Sequence, residues 1–121
     1  MRIKDPIVYI SDMLSYCKSA ISFMVGINYS TFAKDEKTIF AVIRAIEVIG
    51  EASKKVPKRI KENYSDIPWR EIAGMRDKLI HEYFGIDSKV VWNTIKHDLP
   101  KLKSQLELII KETSNGGKLK L

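Results

Sequence analysis

A chain of 121 residues is long enough to bury one hydrophobic core but too short for two, which predicts a single domain. No apolar run reaches the ~18 residues that cross a bilayer, and the N-terminus lacks an apolar run followed by a small-residue cleavage site, so we expect a soluble cytoplasmic protein. Subtracting 15 acidic from 21 basic residues leaves a net charge of +6, which favours a polyanionic partner such as nucleic acid without requiring one.

Helical periodicity dominates the chain and predicts an all-α protein, an up-and-down bundle of four to five helices. The first helix begins after Asp5 and ends at Gly26, with apolar side chains at three- and four-residue spacing. Cys17 falls on its core-facing side. A single cysteine has no internal disulfide partner, so we interpret it as a buried small hydrophobe rather than a nucleophile.

The second predicted helix carries a clear apolar stripe. It starts between Ser30 and Lys34 and runs to about Lys55, and Pro57 closes it. Residues 58–64 are predicted to form a short turn of helix that leads into a loop.

The next predicted helix, 69–84, stops at Gly85 and contains the residue types that phosphodiester chemistry needs, Arg76, His81 and Tyr83. Histidine donates and accepts protons near neutrality. On a regular helix Arg76 would fall inside the apolar arc, whereas His81 would lie about 140° away from it. Because they would not share a face, a distorted helix, a long reach by the guanidinium or a second subunit is needed to join them.

The last long helix is expected to start at a cap in Asp87-Ser88 and to extend to about Lys111. Pro100 should bend it or remove a hydrogen bond locally. The domain is therefore predicted to span residues 1–113, followed by a flexible tail at 114–121.

An arginine in a core position needs a carboxylate partner, because an unpaired guanidinium is costly in a low dielectric. Glu47 lies at the edge of the apolar arc of the second helix, with Glu51 and Arg44 just beyond it. Together with Asp77 these residues form a predicted ion-pair network around Arg76. The network can tie two helices together, and it can also hold Arg76 beside a substrate phosphate; the two roles are compatible.

These residues resemble a known family. The motif Arg76-x4-His81-x-Tyr83, with the preceding Ile72-Ala73-Gly74-Met75 and the helix-two run 44–52, is similar to HepT-like toxins of the HEPN (higher eukaryotes and prokaryotes nucleotide-binding) superfamily. Trp92 and the bend at Asp98-Leu99-Pro100 extend the resemblance over residues 5–112.

The resemblance implies a HEPN-like bundle with a bent last helix and a metal-independent endoribonuclease that needs no cofactor. It also implies a homodimer, with the arginine and histidine of both subunits meeting in an interface cleft. A ribose 2′-hydroxyl would attack the adjacent phosphorus, His81 would move protons, and Arg76 would stabilise the charge on the phosphoryl oxygens. One cysteine and two distant histidines supply no plausible metal-ligand spacing.

The same resemblance implies a role for Tyr83, as the residue that a minimal nucleotidyltransferase antitoxin (MntA-like) adenylylates to block the cleft. The alternative is that Tyr83 only packs. His97 is interpreted as a surface residue, and the basic residues between 54 and 61 suit either RNA guidance or a solvated helix end. Two rival functions stay open: a HEPN-fold module that binds a nucleotide or protein without catalysis, and a plain helical adaptor.

Overall fold

The computed structural model of the chain describes residues 5–81 and 85–114, with only the backbone described at His81. Helices make up most of this part of the chain, so the all-α prediction is confirmed. In chain order the elements are α1 (Ile7–Phe23), α2 (Tyr29–Ala33), α3 (Glu36–Lys55), α4 (Lys58–Asn63), α5 (Trp69–Ala73), α6 (Met75–Leu79), β1 (Ile80–His81), β2 (Gly85–Ile86), α7 (Ser88–Asn93), a π-helical turn (Thr94–Asp98) and α8 (Leu99–Ser114).

The core lies between the three longest helices, because α1 packs against both α3 and α8. The apolar stripes predicted from the sequence face one another there, and their buried side chains include Ile10, Met13, Cys17, Val42, Ile46, Ile49, Leu102, Leu106 and Ile109. Cys17 is fully buried, as predicted, and burial raises the pKa of its thiol to about 12. Within the described ranges, no helix is both long and apolar enough to cross a membrane.

The second predicted helix is divided, and its long part begins later than expected. Asp35 interrupts it: the carboxylate accepts hydrogen bonds from the Thr38 N–H at 3.1 Å and the Thr38 hydroxyl at 2.6 Å, which caps α3. The hydroxyl bond, followed by the backbone bond, lowers the pKa of Asp35. Asn28 caps the separate α2 through the Thr31 N–H. Two local caps thus divide a segment that periodicity alone reads as one helix.

The single helix predicted over 69–84 is wrong. The helix breaks at Gly74 and ends at Leu79, and the chain then becomes extended. Strands β1 and β2 pair antiparallel, with Ile80 opposite Ile86 and His81 opposite Gly85, whose φ of +75° suits glycine. Pairing with a later segment satisfies the backbone groups that helix continuation would have satisfied. The predicted helical residues 82–84 lie outside the described residues.

The bend expected near Pro100 takes the form of the π-helical turn directly before it. There the Leu99 N–H bonds to the Thr94 carbonyl, five residues back, which accommodates a proline ring that would clash with the Lys96 carbonyl in a regular α-helix. The Asp87 carboxylate caps α7 at the Val90 N–H, as predicted. Helix α8 continues to Ser114, so the rest of the predicted tail, 115–121, lies outside the described residues.

Candidate active site

Helices α3 and α6 bring Arg76 beside Glu47, one of its predicted carboxylate partners. Gly50 permits this approach, because a Cβ atom there would lie 3.2 Å from the Ile72 carbonyl oxygen and 3.4 Å from that of Ala73. Only a glycine lets the backbone of α5 pass so close to α3. The tight crossing places Arg76, on the first turn of α6, beside the middle of α3.

The central contact of the site joins Arg76 to Glu47. The Arg76 Nε–H donates to Glu47 Oε2 at 3.1 Å, across 29 positions of sequence. The Arg76 Nη1 atom lies 3.8 Å from Asp77 Oδ1, a longer and more exposed pair. Among the described residues, no acceptor bonds to Arg76 Nη2. Glu47 therefore holds the guanidinium at Nε, and the side of the group at Nη2, called its free edge, has no acceptor among the described residues and can meet an anion.

The structure corrects the predicted burial of Arg76. Its side chain is 50% exposed, and that of Glu47 is 31% exposed, so the pair lies at the surface rather than in the core. One continuous helix over 69–84 would have buried Arg76, whereas the break at Gly74 shifts the phase of α6 relative to α5. The arginine therefore pairs at the surface, where its free edge can reach a ligand.

The remaining members of the predicted network line one polar groove of about 400 Å³, whose walls carry Arg44, Glu47, Gly50, Glu51, Lys54, Ala73, Arg76 and Asp77. Glu51 pairs with Lys54 at 3.3 Å instead of with Arg76, and Arg44 is exposed and forms no ion pair with a described residue. The groove holds three basic and three acidic side chains, so its charges nearly balance. An RNA phosphate would be attracted by the free edge of Arg76 rather than by the groove as a whole.

His81 is the last residue of β1, five positions beyond Arg76. Its backbone is held opposite Gly85, and the Asp87 N–H donates to the Leu79 carbonyl at 2.8 Å, which ties the hairpin to the end of α6. Because the helix has already ended, the angle of about 140° that a regular helix imposes does not separate the two residues. The His81 side chain and the whole of Tyr83 lie outside the description, so the two alternatives for Tyr83 both stand.

The hairpin is the feature that sequence reasoning missed. Its signal was present in the β-branched Ile80 and Ile86 and in Gly85 between them, a combination that favours a short strand pair. The strong helical pattern before Ile80 favoured a helix over this strand pair.

His97 lies on the π-helical turn and is exposed, as expected. Among the side chains that the structure describes, no three His, Cys, Asp or Glu residues are grouped so that they could hold a metal ion.

Comparison with known proteins gives a consistent result. The family model described as Ribonuclease HepT-like matches residues 13–109. A candidate RNase of Methanocaldococcus jannaschii is 48% identical over 90% of this chain and 94% of its own length. A protein of Thermococcus cleftensis named as a probable ribonuclease HepT is 48% identical over 85% and 94%, and a candidate RNase of Caldanaerobacter subterraneus is 43% identical over 90% and 97%. No solved structure matches the chain at a significant level.

Proposed function

Since the chain belongs to the HepT-like ribonuclease family, we propose that it is the toxin of a toxin–antitoxin pair and cleaves RNA as a metal-independent endoribonuclease. The observation that carries this proposal is the state of Arg76: half exposed, oriented by Glu47 through one edge of the guanidinium, and open at Nη2. A fixed cation with a free hydrogen-bonding edge is what a transferring phosphoryl group requires.

In the proposed reaction the ribose 2′-oxygen attacks the adjacent phosphorus, and the bond from phosphorus to the 5′-oxygen breaks. A His81 imidazole accepts the 2′-hydroxyl proton, and a second acid protonates the departing 5′-oxygen. The products are a 2′,3′-cyclic phosphate and a 5′-hydroxyl. Arg76 stabilises the negative charge that grows on the non-bridging oxygens. Removal of a single donor of this kind lowers the reaction rate by about 10²–10³-fold.

The need for both a base and an acid favours a homodimer in which each chain supplies a His81, because no histidine is among the described residues that line the groove of one chain. Helix α3 offers a surface for the pairing. Phe40 is 55% exposed and precedes Arg44 and Glu47 by four and seven residues, so all three lie on one helix face. An exposed aromatic ring beside the candidate site is a suitable anchor for a second copy.

We further propose that an MntA-like nucleotidyltransferase antitoxin adenylylates Tyr83. The phenolic oxygen would attack the α-phosphorus of ATP, and pyrophosphate would leave. Tyr83 follows His81 by two residues in the sequence. A phosphodiester attached there would carry a negative charge that competes with the RNA phosphate for Arg76.

The decisive experiment incubates purified wild-type protein, Arg76→Ala and His81→Ala with total RNA and maps the new ends. We expect cyclic-phosphate ends from the wild type and from His97→Ala, and none from Arg76→Ala or His81→Ala. His97→Ala is the matched control, because it removes the other histidine, which is exposed and does not line the groove. Equal cleavage by wild type and His81→Ala would indicate a contaminating nuclease and refute the site assignment.

If no variant cleaves, intact mass shows whether Tyr83 already carries adenylate. An unmodified, inactive wild-type protein that still binds RNA would favour the non-catalytic HEPN module. Co-expression with a minimal nucleotidyltransferase encoded by a neighbouring gene should increase the intact mass of the wild type by that of adenylate. The mass of Tyr83→Phe should not change.

A further inference from the structure

A second surface of the molecule combines aromatic rings with ammonium groups. Helices α2 and α7 place Tyr29 and Trp92 edge to face, with ring centroids 5.6 Å apart. Lys89 Nζ lies 4.3 Å from the centre of the Tyr29 ring, and Lys96 Nζ lies 4.8 Å from that of Trp92. Tyr29, Trp92, Lys89 and Lys96 together form the aromatic–lysine surface.

Both rings of this surface are fixed from behind. The Tyr29 hydroxyl and Ser88 Oγ form a hydrogen bond of 3.0 Å, and Trp92 packs on the fully buried Phe32 with centroids 5.5 Å apart. Both rings are only half-buried. Rigid, partly open rings are suited to receive a flat ligand, because little conformational entropy is lost on binding.

The two tryptophans of the chain differ in a way that points to a ligand. Trp69 is buried, and its indole N–H donates to the Tyr64 carbonyl at 3.1 Å. Trp92 has no acceptor among the described residues, and none of their buried side-chain polar atoms lacks a partner. The Trp92 N–H is therefore open to solvent and can donate to an incoming group.

The aromatic–lysine surface starts where the candidate site ends. The Asp87 N–H bonds to the Leu79 carbonyl next to His81, and α7 begins at the following residue. Lys89, Trp92 and Lys96 then follow at positions i, i+3 and i+7, so they lie along one side of α7 and the π-helical turn. The surface therefore follows the hairpin that carries His81 directly along the chain.

We propose that the aromatic–lysine surface binds unpaired nucleotides of the RNA substrate beyond the two that flank the cleaved phosphodiester. Bases stack on Tyr29 and Trp92, and the ammonium groups of Lys89 and Lys96 move from the ring faces to the neighbouring phosphates. Stacking of a base is stronger than an exposed cation–π contact, so the exchange is favourable. This inference rests on the proposed ribonuclease function and adds to it a preference for single-stranded RNA.

Single-strand preference follows from the geometry of the rings. Stacking needs a base with a free face, and bases inside an A-form duplex have none. A duplex would therefore interact with this surface only through its phosphates and the ammonium groups of Lys89 and Lys96. The surface therefore contributes little to duplex binding beyond its charge.

The test measures binding of a fluorescent single-stranded RNA whose 2′-hydroxyls are methylated, so that cleavage cannot occur. Lys89→Gln with Lys96→Gln is compared with Lys18→Gln and Lys111→Gln, two exposed lysines elsewhere, so that both double variants lose the same charge. We expect the first pair to weaken binding about tenfold and to reduce the salt slope by about 1.4, at ~0.7 for each phosphate of a single strand. The control pair should change Kd by less than about twofold, because long-range charge effects are screened.

Tryptophan emission supplies an independent readout of stacking. Saturating RNA should quench the emission of the wild type and leave that of Trp92→Phe nearly unchanged, because Trp69 is buried. Any one of three results would overturn the inference. The two lysine double variants could weaken RNA binding equally, or saturating RNA could leave the tryptophan emission of the wild type unchanged. The protein could also bind duplex and single-stranded RNA with equal affinity.

Cleavage assays separate this inference from the proposed function. Wild type and the Lys89→Gln, Lys96→Gln variant should cleave a dinucleotide at the same rate and differ on longer single strands. If both cleave long substrates equally, the surface has no role in the reaction and the ribonuclease assignment still stands. If the wild type binds at this surface but cleaves nothing, the ribonuclease assignment fails.

Discussion

Glu47 holds Arg76 at the Nε atom of its guanidinium, with Nε and Oε2 3.1 Å apart, and leaves Nη2 without an acceptor among the described residues, beside a polar groove. The pair is half exposed, so it contributes little to folding stability, in line with the ~0–1 kcal/mol typical of surface ion pairs. Its importance lies in orientation, because a long arginine side chain is otherwise free to turn away.

The first prediction follows from this contact. Glu47→Gln keeps an acceptor oxygen but removes the charge that orients Arg76, so we expect kcat to fall about tenfold with KM within about twofold, as for an interaction used in the transition state. Steady-state cleavage of a defined RNA measures both constants. Glu51→Gln is the control: it lines the same groove but pairs with Lys54, and it should retain nearly full activity. Equal losses in the two variants would contradict a positioning role for Glu47.

The second prediction concerns the crossing of α3 and α5. Gly50→Ala places a methyl group 3.2 Å from a backbone carbonyl that cannot move independently, so we expect a loss of about 1–3 kcal/mol despite the better helix propensity of alanine. Thermal and urea unfolding measure the change. Gly74→Ala is the matched control, since its nearest neighbour would be 3.8 Å away and its φ is negative. A Gly50→Ala protein as stable as wild type would show that the two helices separate easily.

The third prediction concerns Cys17. Burial raises the pKa of its thiol to about 12, and the thiolate is the reactive form. The folded protein should therefore resist a thiol reagent at mildly alkaline pH, and the same reagent should modify Cys17 fully in guanidinium chloride. Intact mass gives the extent of reaction. Rapid labelling of the native protein would mean that α1 opens readily from α3 and α8.

The fourth prediction concerns alkaline stability. Burial raises the pKa of Tyr64 from 10.0 to about 12, and the hydrogen bond that its hydroxyl donates to Glu112 at 2.5 Å and the charge of that carboxylate add to the effect. Because the raised pKa favours the protonated form in the folded state, the contribution of Tyr64 is present below pH 10 and is lost as pH rises towards 12. Urea midpoints across this range should fall more steeply for wild type than for Tyr64→Phe. If the urea midpoints of the two proteins fall in parallel, other groups cause the loss of stability at alkaline pH.

Part of the fold follows directly from local sequence. The apolar residues of α1 and α3 recur at helical spacing, and Asp87 precedes α7 as a capping residue, so the patterns could be read without knowing what packs on them. The contact between Arg76 and Glu47 was also predicted, from two opposite charges that helical wheels place within or beside apolar stripes, although the pair proved to lie at the surface.

The sequence by itself determined the helical class, the buried faces of the long helices and the residue types of the candidate site, since these depend on neighbours within a few positions. Only the tertiary structure decided that the helix carrying Arg76 ends at Leu79, that β1 pairs with β2 before α7, and that Arg76 lies at the surface. The physical reason is that a helix end is a competition between local and distant hydrogen bonds. The distant partners, such as the Asp87 N–H that bonds to the Leu79 carbonyl, exist only once the chain has folded.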